Sequence, residues 1–378
     1  MSTPVAESDV LIVGAGIVGL AHACAAVSRG LTVTIIDRDA RAVGASVRNF
    51  GHCCITAQSG ELLDLALVAR EKWLEYAGLA GFFSVAAGAV ALARSATELA
   101  VLAELAESRE PGQVRVLSAA EAMCELREDA DPTIVGGALL RDDLRVDPRE
   151  AVSSLASWLA SQPGVRMLWR TSYLGGAEGA ARTSRGGIRA ARTIVCVGHD
   201  LDYLFPELAA SREVERCALQ MMRVAAPEGL VLRPAVLTGT SMLRYPAFAQ
   251  TDAANALRSE ISSARPDLLA IGANVMFTQR PNGTLIIGDS HRYAKTLTPF
   301  QKEATSDILL REIEQILGVS ELRVLERWQG IYASSPRQPY LIEEVAPGVT
   351  VAIVTSGVGM TISFGVAEKT LATIGAVA

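Results

Sequence analysis

The chain has 378 residues, more than one hydrophobic core usually serves, and this length suits two domains. Half of the residues are hydrophobic, 20% are charged and the formal net charge is -6. This balance argues against a disordered chain and against a nucleic-acid partner, and it favours a small-molecule ligand.

The first apolar run predicts a cytoplasmic protein without a membrane partner. It lacks a preceding basic segment and leads into a glycine-rich turn, whereas a secretory signal leads to a cleavage site. Two longer uncharged runs, residues 76–93 and 346–367, are broken by glycines and polar residues. We interpret both runs as buried strands and turns.

A strand, a tight turn and a helix are predicted at the start of the chain. Residues 9–13 (DVLIV) form a short apolar run, and helical spacing continues to Val27. Three glycines after the strand suit separate roles. Gly14 allows the tight turn, Gly16 lets a pyrophosphate approach the backbone, and Gly19 lets the helix pack closely on the strand.

The next strand ends in an acid, which completes a dinucleotide-binding pattern. Residues 31–36 are predicted as a strand and precede Asp37, whose carboxylate can accept hydrogen bonds from an adenosine ribose. This pattern does not distinguish NAD from FAD. The basic, glycine-containing loop of residues 37–46 suits a pyrophosphate and leads into the segment NFGHCCITAQSG, residues 49–60.

The remaining predicted elements are a mixture of strands and helices. A hairpin split near Gly88 is expected over residues 82–93, and a helix that begins at the Asp147-Pro148 pair is expected to end near Leu159. Further predicted elements are strands over residues 165–169, 193–197, 283–288 and 349–355, a hairpin or loop over 175–187, a turn over 356–359 and a helix from Met360.

Cysteine and histidine are too scattered to predict a metal site. The cysteines form no CxxC pair and histidines are few, so a metal cluster would need distant parts of the chain. We interpret the cysteines as buried packing residues, including the adjacent Cys53 and Cys54, because a disulfide between neighbours requires unusual backbone geometry. The residues concerned are Cys24, Cys53, Cys54, Cys124, Cys196 and Cys217, and His22, His52, His199 and His291.

Seven segments in a fixed order carry a family resemblance over nearly the whole chain. They are DVLIVGAGIVGLAHA, GASVRNFGH, RVDPREAV, RTIVCVGHD, GTLIIGDSHRY, ERWQGIYA and SGVGMTISFGVAEKTLA. With them the chain resembles the family of FAD-dependent amine oxidases that includes D-amino acid oxidase, glycine oxidase and sarcosine oxidase. More narrowly, it resembles the branch of that family associated with phosphonate breakdown. The resemblance implies FAD as the cofactor.

The resemblance also implies a fold and a division into domains. The expected class is α/β, with a Rossmann-type FAD-binding domain interleaved with an antiparallel-sheet α+β substrate domain. The FAD-binding domain is expected over residues 1–80, 145–215 and 325–378, and the substrate-binding domain over residues 81–144 and 216–324.

By the same resemblance, two separated segments lie against the flavin. Residues 46–52 are expected along the pyrophosphate and the ring, and the C-terminal turn is expected at the pyrimidine edge, where backbone N–H groups favour the reduced, negatively charged ring. The expected cofactor-binding residues are Gly14, Gly16, Ile17, Val18, Gly19, Asp37, Arg38, Ser46, Asn49, Gly51, His52, Val165, Gly198, Gly330, Gly357, Gly359, Met360 and Thr361.

His52 has two interpretations that the sequence leaves open. Beside a flavin its imidazole can orient a substrate amine, accept its proton or, when charged, bind an anion. Alternatively, it is a satisfied polar residue that holds the loop. The candidate catalytic residues are His52, Tyr332 and Arg48.

Three positions depart from the family pattern. Tyr332 stands where amino acid oxidases of the family hold the substrate carboxylate with an arginine. Thr361 stands where sarcosine oxidases have a lysine in the C-terminal turn, and Ile286 where they have a lysine that activates oxygen. We therefore expect the carboxylate clamp to be rebuilt or replaced.

A phosphonate is one anion that calls for a different clamp. It presents three oxygens in a tetrahedral array and carries more charge than a carboxylate, so it favours several donors, above all arginine. Candidate donors are Arg48, Arg244, Arg292 and Arg337, with the neutral Tyr245, Tyr332 and His291. From these we predict that the substrate-binding residues are Arg337, Arg244, Tyr245 and His291.

The expected reaction is oxidation of the C–N bond of a small anionic amine by hydride transfer to the flavin, followed by hydrolysis of the imine. The favoured substrate is an (N-methyl) aminoalkylphosphonate such as N-methyl-2-aminoethylphosphonate, with oxygen or another electron acceptor reoxidising the flavin. One alternative is an amino acid oxidase or dehydrogenase of the glycine, sarcosine or D-amino acid type with an altered carboxylate clamp. Another is a flavin-binding subunit of a hetero-oligomeric complex. The sequence is compatible with a homo-oligomer, and it specifies neither the oligomeric state nor covalent attachment of the flavin.

Overall fold

The computed structural model describes residues 4–127 and 129–373. Its α-helices are α1 (Ile17–Val27), α2 (Glu61–Ala80), α3 (Ala96–Glu107), α4 (Ala119–Leu126), α5 (Pro148–Ala160), α6 (Leu201–Leu204), α7 (Pro206–Ser211), α8 (Gly239–Met242), α9 (Pro246–Ala249), α10 (Ala253–Ala264), α11 (Pro266–Ala270), α12 (Glu303–Leu317) and α13 (Gly359–Thr373).

The strands form three sheets. They are β1 (Ala6–Val13), β2 (Val33–Ile36), β3 (His52–Cys53), β4 (Ser84–Val85), β5 (Ala89–Ala93), β6 (Val114–Ser118), β7 (Gly136–Leu140), β8 (Leu144–Val146), β9 (Val165–Leu168), β10 (Tyr173–Ala177), β11 (Ala180–Thr183), β12 (Gly186–Val195), β13 (Glu215–Val224), β14 (Ala235–Leu237), β15 (Met276–Gln279), β16 (Leu285–Gly288), β17 (Arg292–Ala294), β18 (Val324–Ser334), β19 (Tyr340–Ala346) and β20 (Val349–Val354).

The eight-stranded sheet has a parallel centre. Strands β20, β12, β1, β2 and β9 lie side by side and parallel, β19 pairs antiparallel with β20, and β10 and β11 extend β12 as hairpins. Strand β2 and the last four residues of β1 are buried, which explains the apolar run of residues 10–13, whereas β9 is only partly buried. Helices α1, α2, α5 and α13 cover one face and share a core that includes Leu20, Trp73, Leu155 and Phe364.

The nine-stranded sheet is mostly antiparallel. Its order is β17-β13-β16-β15-β14-β5-β7-β6, with β18 also paired to β13, and only the β14–β5 pair among the described strands runs parallel. Leu309, Ile313 and Ile316 of α12 pack with Phe277 and Ile287 in a core on this sheet. The third sheet is small and has the order β3-β8-β4.

This architecture confirms the predicted α/β fold class with interleaved parallel and antiparallel sheets. The parallel-centred sheet draws its strands from residues 6–36, 165–195 and 340–354, and the nine-stranded sheet draws its strands from the intervening segments. Strand β18, which the predicted boundaries assign to the FAD-binding domain, is hydrogen-bonded within the nine-stranded sheet. The boundaries themselves stay a prediction.

The hairpin predicted over residues 82–93 is wrong. Strand β4 pairs with β8 in the small sheet, whereas β5 lies between β7 and β14 in the nine-stranded sheet. At Gly88 the backbone has a φ of 70°, and its N–H donates to the Asp143 carbonyl, so the chain leaves one sheet and enters another. All five residues of β5 are buried, which is typical of an interior strand covered on both faces.

Other sequence-based elements agree with the structure. The turn at Gly283, where φ is 84°, joins β15 to β16, and residues 173–195 form the successive hairpins of β10, β11 and β12. Helix α5 begins where Asp147 accepts a hydrogen bond from the Arg149 N–H and Pro148 occupies the first turn. Within the described ranges, no helix combines the length and apolar character needed to cross a membrane.

Candidate active site

A cavity of about 430 Å³ lies at the carboxyl ends of β1, β2 and β12, where Val13, Ile36 and Cys196 line it. Its other walls come from β18 and from the turn that precedes α13. Ligands of open parallel sheets bind at this edge, and a volume of roughly 300–1,000 Å³ is typical of small-molecule sites. The two sheets therefore meet around a ligand-sized space.

The glycine-rich turn after β1 forms one end of this cavity. Gly14 has a φ of 103°, and a Cβ atom there would lie 2.5 Å from the Cys196 carbonyl oxygen. Gly19 packs so closely that its Cβ would lie 1.9 Å from the Gly14 carbonyl oxygen. The Ile17 N–H donates to Ser46 Oγ at 2.9 Å, which ties the loop of residues 42–46 to the start of α1. The result is a cradle of backbone N–H groups at a helix N-terminus, suited to a pyrophosphate.

Asp37 closes this end of the cavity. Its carboxylate accepts hydrogen bonds from the Ala15 N–H at 2.7 Å and from the Asp39 N–H at 2.9 Å. Burial raises its pKa, against the effect of these hydrogen bonds. A carboxylate has about four acceptor sites, so two remain for the hydroxyl groups of a ribose. Beside it, Arg38 forms an ion pair with Asp200 at 2.7 Å.

The turn before α13 forms another wall. Gly357 has a φ of 78°, and a Cβ atom there would lie 2.9 Å from the Tyr332 ring. Gly359 and Met360, which begin α13, also line the cavity, and the first N–H groups of a helix lack partners within it. The Trp73 indole N–H donates to the Met360 carbonyl at 2.7 Å and fixes this end of the helix.

Arg244 reaches the cavity between two tyrosines. Its guanidinium donates to the Tyr332 hydroxyl at 2.7 Å and to the Tyr293 hydroxyl at 3.3 Å. The structure gives this guanidinium no carboxylate partner among the described residues. Burial raises the pKa of the Tyr332 phenol well above its usual value, so this hydroxyl keeps its proton. Arg244 and Tyr332 together offer N–H and O–H groups to an anion.

His291 lies in the same group of polar residues as a neutral imidazole. Its Nδ1 lies 2.9 Å from the Gly272 carbonyl, which assigns the ring proton to Nδ1 and leaves the Nε2 lone pair as an acceptor. Burial, reinforced by the charge of Arg244, lowers the pKa of His291 well below its usual value. His291 is therefore uncharged at neutral pH.

Asp289 and Asn274 complete this group, and the sequence interpretation missed both. Asp289 is 3% exposed, and its Oδ1 atom has no hydrogen-bond partner among the residues that the structure describes. Burial raises the pKa of Asp289 to about 7, although the charge of Arg244 opposes the shift. The Asn274 Oδ1 atom also has no partner. An acid directly after the strand predicted over residues 283–288 is the signal that could have identified Asp289.

His52 lies away from the residues that line the cavity. Its Nε2 is 2.7 Å from Asp143 Oδ2, and the other oxygen of Asp143 accepts the Thr56 N–H at 2.7 Å. Cys54 is close enough to form a three-residue metal-ligand arrangement with this pair. Burial raises the pKa of the Cys54 thiol well above its usual value, which keeps it protonated and unreactive. These contacts tie His52 to Asp143 through Nε2, whereas its buried Nδ1 atom has no hydrogen-bond partner among the described residues.

The sequence matches the DAO family model, described as FAD dependent oxidoreductase, over residues 9–372. The chain belongs to this family. It is therefore an FAD-dependent oxidoreductase, as the sequence predicted. The sequence matches no curated protein.

Solved structures with the same fold include several relatives of this oxidoreductase at low identity. Glycine oxidase from Geobacillus kaustophilus is 20% identical, with a TM-score of 0.75 over 96% of this chain and 93% of that chain. L-Proline dehydrogenase from P. horikoshii is 17% identical, with a TM-score of 0.78 over 97% of this chain and 93% of that chain. L-alpha-Glycerophosphate oxidase from Mycoplasma pneumoniae, solved with FAD bound, is 17% identical, with a TM-score of 0.74 over 96% of this chain and 94% of that chain.

The residues of this oxidoreductase fit an FAD molecule. A Cβ atom would lie 2.5 Å from the Cys196 carbonyl oxygen at Gly14 and 3.1 Å from Ser46 Oγ at Gly16, so the turn suits glycine. Asp37 directly follows β2, and the N-terminus of α13 lines the same cavity. Most of the predicted cofactor and substrate residues line it. They are Gly14, Gly16, Ile17, Val18, Asp37, Arg38, Ser46, Arg48, Asn49, Gly198, Arg244, Tyr245, His291, Gly330, Tyr332, Gly357, Gly359 and Met360.

Six predicted site residues of the oxidoreductase lie elsewhere. Thr361 turns away from the cavity and accepts the Cys54 N–H at 3.0 Å. Arg337 is exposed and pairs with Glu213, because the loop before β19 directs it to the surface. The others serve packing or strand pairing; they are Gly19, Gly51, His52 and Val165.

Proposed function

We propose that this FAD-dependent oxidoreductase oxidises the C–N bond of a small amine that carries an anionic group. The favoured substrate is an (N-methyl) aminoalkylphosphonate such as N-methyl-2-aminoethylphosphonate. The observation that carries the proposal concerns Arg244. This arginine has no carboxylate partner among the described residues, and it lines the same cavity as the dinucleotide cradle. Glycine oxidase and L-proline dehydrogenase, which share the fold, support an amine as the reacting group.

The anion end of the substrate would contact Arg244 and Tyr332. An arginine fork matches an anion with two parallel N–H groups, and the protonated Tyr332 hydroxyl adds a third donor. A phosphonate has one oxygen more than a carboxylate, so three donors around one anion favour the phosphonate. The absence of an arginine at position 332 is consistent with this altered arrangement.

Bound FAD supplies the two-electron acceptor for the C–N bond. The residues of the chain orient the amine, exclude bulk water and hold the anion, which places a reactive C–H bond in one defined position. The neutral His291 adds an acceptor without adding positive charge next to an amine. The imine product then reacts with water to give a carbonyl compound and an amine or ammonia.

An amino acid oxidase or dehydrogenase with an altered carboxylate clamp is the second candidate. The observation in its favour is that, among the described residues, the Arg244 guanidinium is the one that acts on the group around His291, and one arginine is sufficient for a carboxylate. A flavin-binding subunit without a substrate site is less well supported, because two buried oxygen atoms at the cavity, Asp289 Oδ1 and Asn274 Oδ1, have no hydrogen-bond partner among the described residues.

Anaerobic mixing of the purified yellow protein with a panel of amines tests the proposal. The panel contains N-methyl-2-aminoethylphosphonate, 2-aminoethylphosphonate, sarcosine, glycine and D-alanine. We expect the phosphonates to bleach the flavin fastest, and admission of oxygen then measures whether oxygen is the acceptor. Bleaching by the carboxylates alone supports the second candidate, and bleaching only with added partner proteins supports the subunit. The cytoplasmic location and a homo-oligomeric state stay predictions.

A further inference from the structure

Two groups of opposite charge line the cavity without forming an ion pair. Arg244 donates to tyrosine hydroxyls. Among the described residues, no lysine or arginine lies within ion-pair distance of the Asp289 carboxylate, and the nearby His291 is uncharged. A buried carboxylate without a partner is costly. A side chain that is 3% exposed, with a bare Oδ1 atom, is therefore expected to meet a ligand.

The backbone fixes the position of Asp289. Its N–H donates to the Asn274 carbonyl at 2.9 Å, and the Asn274 N–H donates to the Asp289 carbonyl at 2.8 Å. Asp289 directly follows β16, which pairs with β13 on one side and β15 on the other. The carboxylate therefore stands at a rigid strand end, which is a suitable support for a binding residue.

None of the neighbouring titratable groups neutralises Asp289. His291 lies 3.7 Å away but directs its Nδ1 proton to the Gly272 carbonyl. Tyr245 and Cys217 also face Asp289, and burial raises the pKa of both groups, so both stay uncharged near neutral pH. Only Arg244 is charged, and it lies beyond ion-pair distance. A proton or a cationic ligand is left to compensate the carboxylate.

We propose that Asp289 binds the amine of the substrate while Arg244 binds its anion, so that the cavity selects zwitterions over simple anions. This inference rests on the proposed function, since it concerns the same substrate. It adds a specificity-determining residue that accepts an N–H hydrogen bond. The pKa of Asp289, raised by burial to about 7, is consistent with a buried carboxylate that forms no ion pair with a described lysine or arginine.

Binding calorimetry on the reduced holoprotein, kept anaerobic so that no substrate turns over, tests this inference. Two ligand pairs are compared: 2-aminoethylphosphonate with ethylphosphonate, and glycine with acetate. Within a pair, the wild type is expected to bind the amine at least about tenfold more tightly, the value of one charge-assisted hydrogen bond. Asp289→Asn is expected to abolish this preference. Arg244→Met is expected to weaken both members of a pair.

The outcomes separate this inference from the proposed function. If only glycine and acetate bind, the phosphonate proposal fails, but the ratio within that pair still tests Asp289. If Asp289→Asn keeps its FAD and its melting temperature and still prefers the amine, the inference is wrong. The inference is also wrong if the wild type binds the amine no more tightly than the amine-free ligand in either pair.

The pH dependence of the wild type covers the case in which Asp289→Asn does not fold. We expect the preference for glycine over acetate to fall about tenfold from pH 8 to pH 6, because protonation of Asp289 removes the acceptor charge. Arg244, Tyr245, Cys217 and the neutral His291 do not change charge in this interval. A preference that stays constant over this interval contradicts the inference.

Discussion

The Arg244 guanidinium donates to the Tyr332 hydroxyl at 2.7 Å, although Arg244 follows α8 and Tyr332 lies on β18. The bond joins two separate parts of the nine-stranded region at the cavity wall. The tyrosine that replaces the expected arginine at position 332 thus positions a different arginine. A substrate anion that enters here meets a preoriented cation.

Arg244→Met is predicted to lower kcat/KM for the amine substrate by about 30-fold or more, since a lost charge-assisted contact to a buried anion costs roughly 2–5 kcal/mol. FAD content is expected to stay the same, because the Arg244 guanidinium donates its hydrogen bonds to Tyr293 and Tyr332 and not to the glycine cradle. Steady-state kinetics and flavin absorbance measure both quantities. Arg292→Met, at an exposed position, is the matched control. Equal losses in the two variants contradict the assignment.

Arg337→Ala is predicted to leave kcat/KM within about twofold of the wild type. Arg337 is exposed and pairs with Glu213, and an exposed ion pair contributes roughly 0–1 kcal/mol to stability. The same kinetic assay and a thermal melt check this prediction. A large loss of kcat/KM would restore Arg337 as a substrate-binding residue.

Gly14→Ala is predicted to abolish tight FAD binding and to lower the free energy of unfolding by more than about 1 kcal/mol. The substitution places a Cβ atom 2.5 Å from the Cys196 carbonyl oxygen at a φ of 103°, so the turn must move. Flavin content after purification and chemical denaturation are the measurements. Gly78→Ala, inside α2 with open space around it, is the control and is expected to stabilise by roughly 0.5–1 kcal/mol. If Gly14→Ala retains its FAD, the assignment of this turn as the pyrophosphate-binding cradle is wrong.

Asp143→Asn is predicted to lower the free energy of unfolding by about 1–3 kcal/mol. The amide keeps one acceptor oxygen, so either the Thr56 N–H or the His52 ring loses its buried hydrogen bond. If His52 only holds its loop, the shape of the pH profile of kcat/KM stays unchanged in this variant. A shifted profile at unchanged stability indicates that His52 takes part in the proton chemistry.

The local part of the site could be predicted from the sequence, because its residues are neighbours along the chain. Gly14, Gly16 and Gly19 occupy one turn and one helix, and Asp37 follows the adjacent strand. Their spacing is dictated by contact with a pyrophosphate and a ribose. The turn at residues 356–359 and the helix after it were identified for the same reason.

The polar part of the site could not be predicted in the same way. Asp143 lies 91 positions from its partner His52, so no local pattern connects them. Four arginines were candidates, and the resemblance favoured Arg48 and Arg337. The structure places Arg48 and Arg244 at the cavity and Arg337 at the surface, which no local pattern indicates. The prediction of a hairpin over residues 82–93 failed for the same reason, because the strands that pair with β5 are distant in sequence.

The most direct test of the central claim is a single anaerobic turnover of N-methyl-2-aminoethylphosphonate on the flavin-loaded protein, with products identified by NMR. C–N oxidation predicts that each bleached flavin yields one carbonyl compound and one amine, at a rate higher than for sarcosine. The claim is contradicted if the flavin stays oxidised and the phosphonate stays unchanged while sarcosine or glycine is consumed.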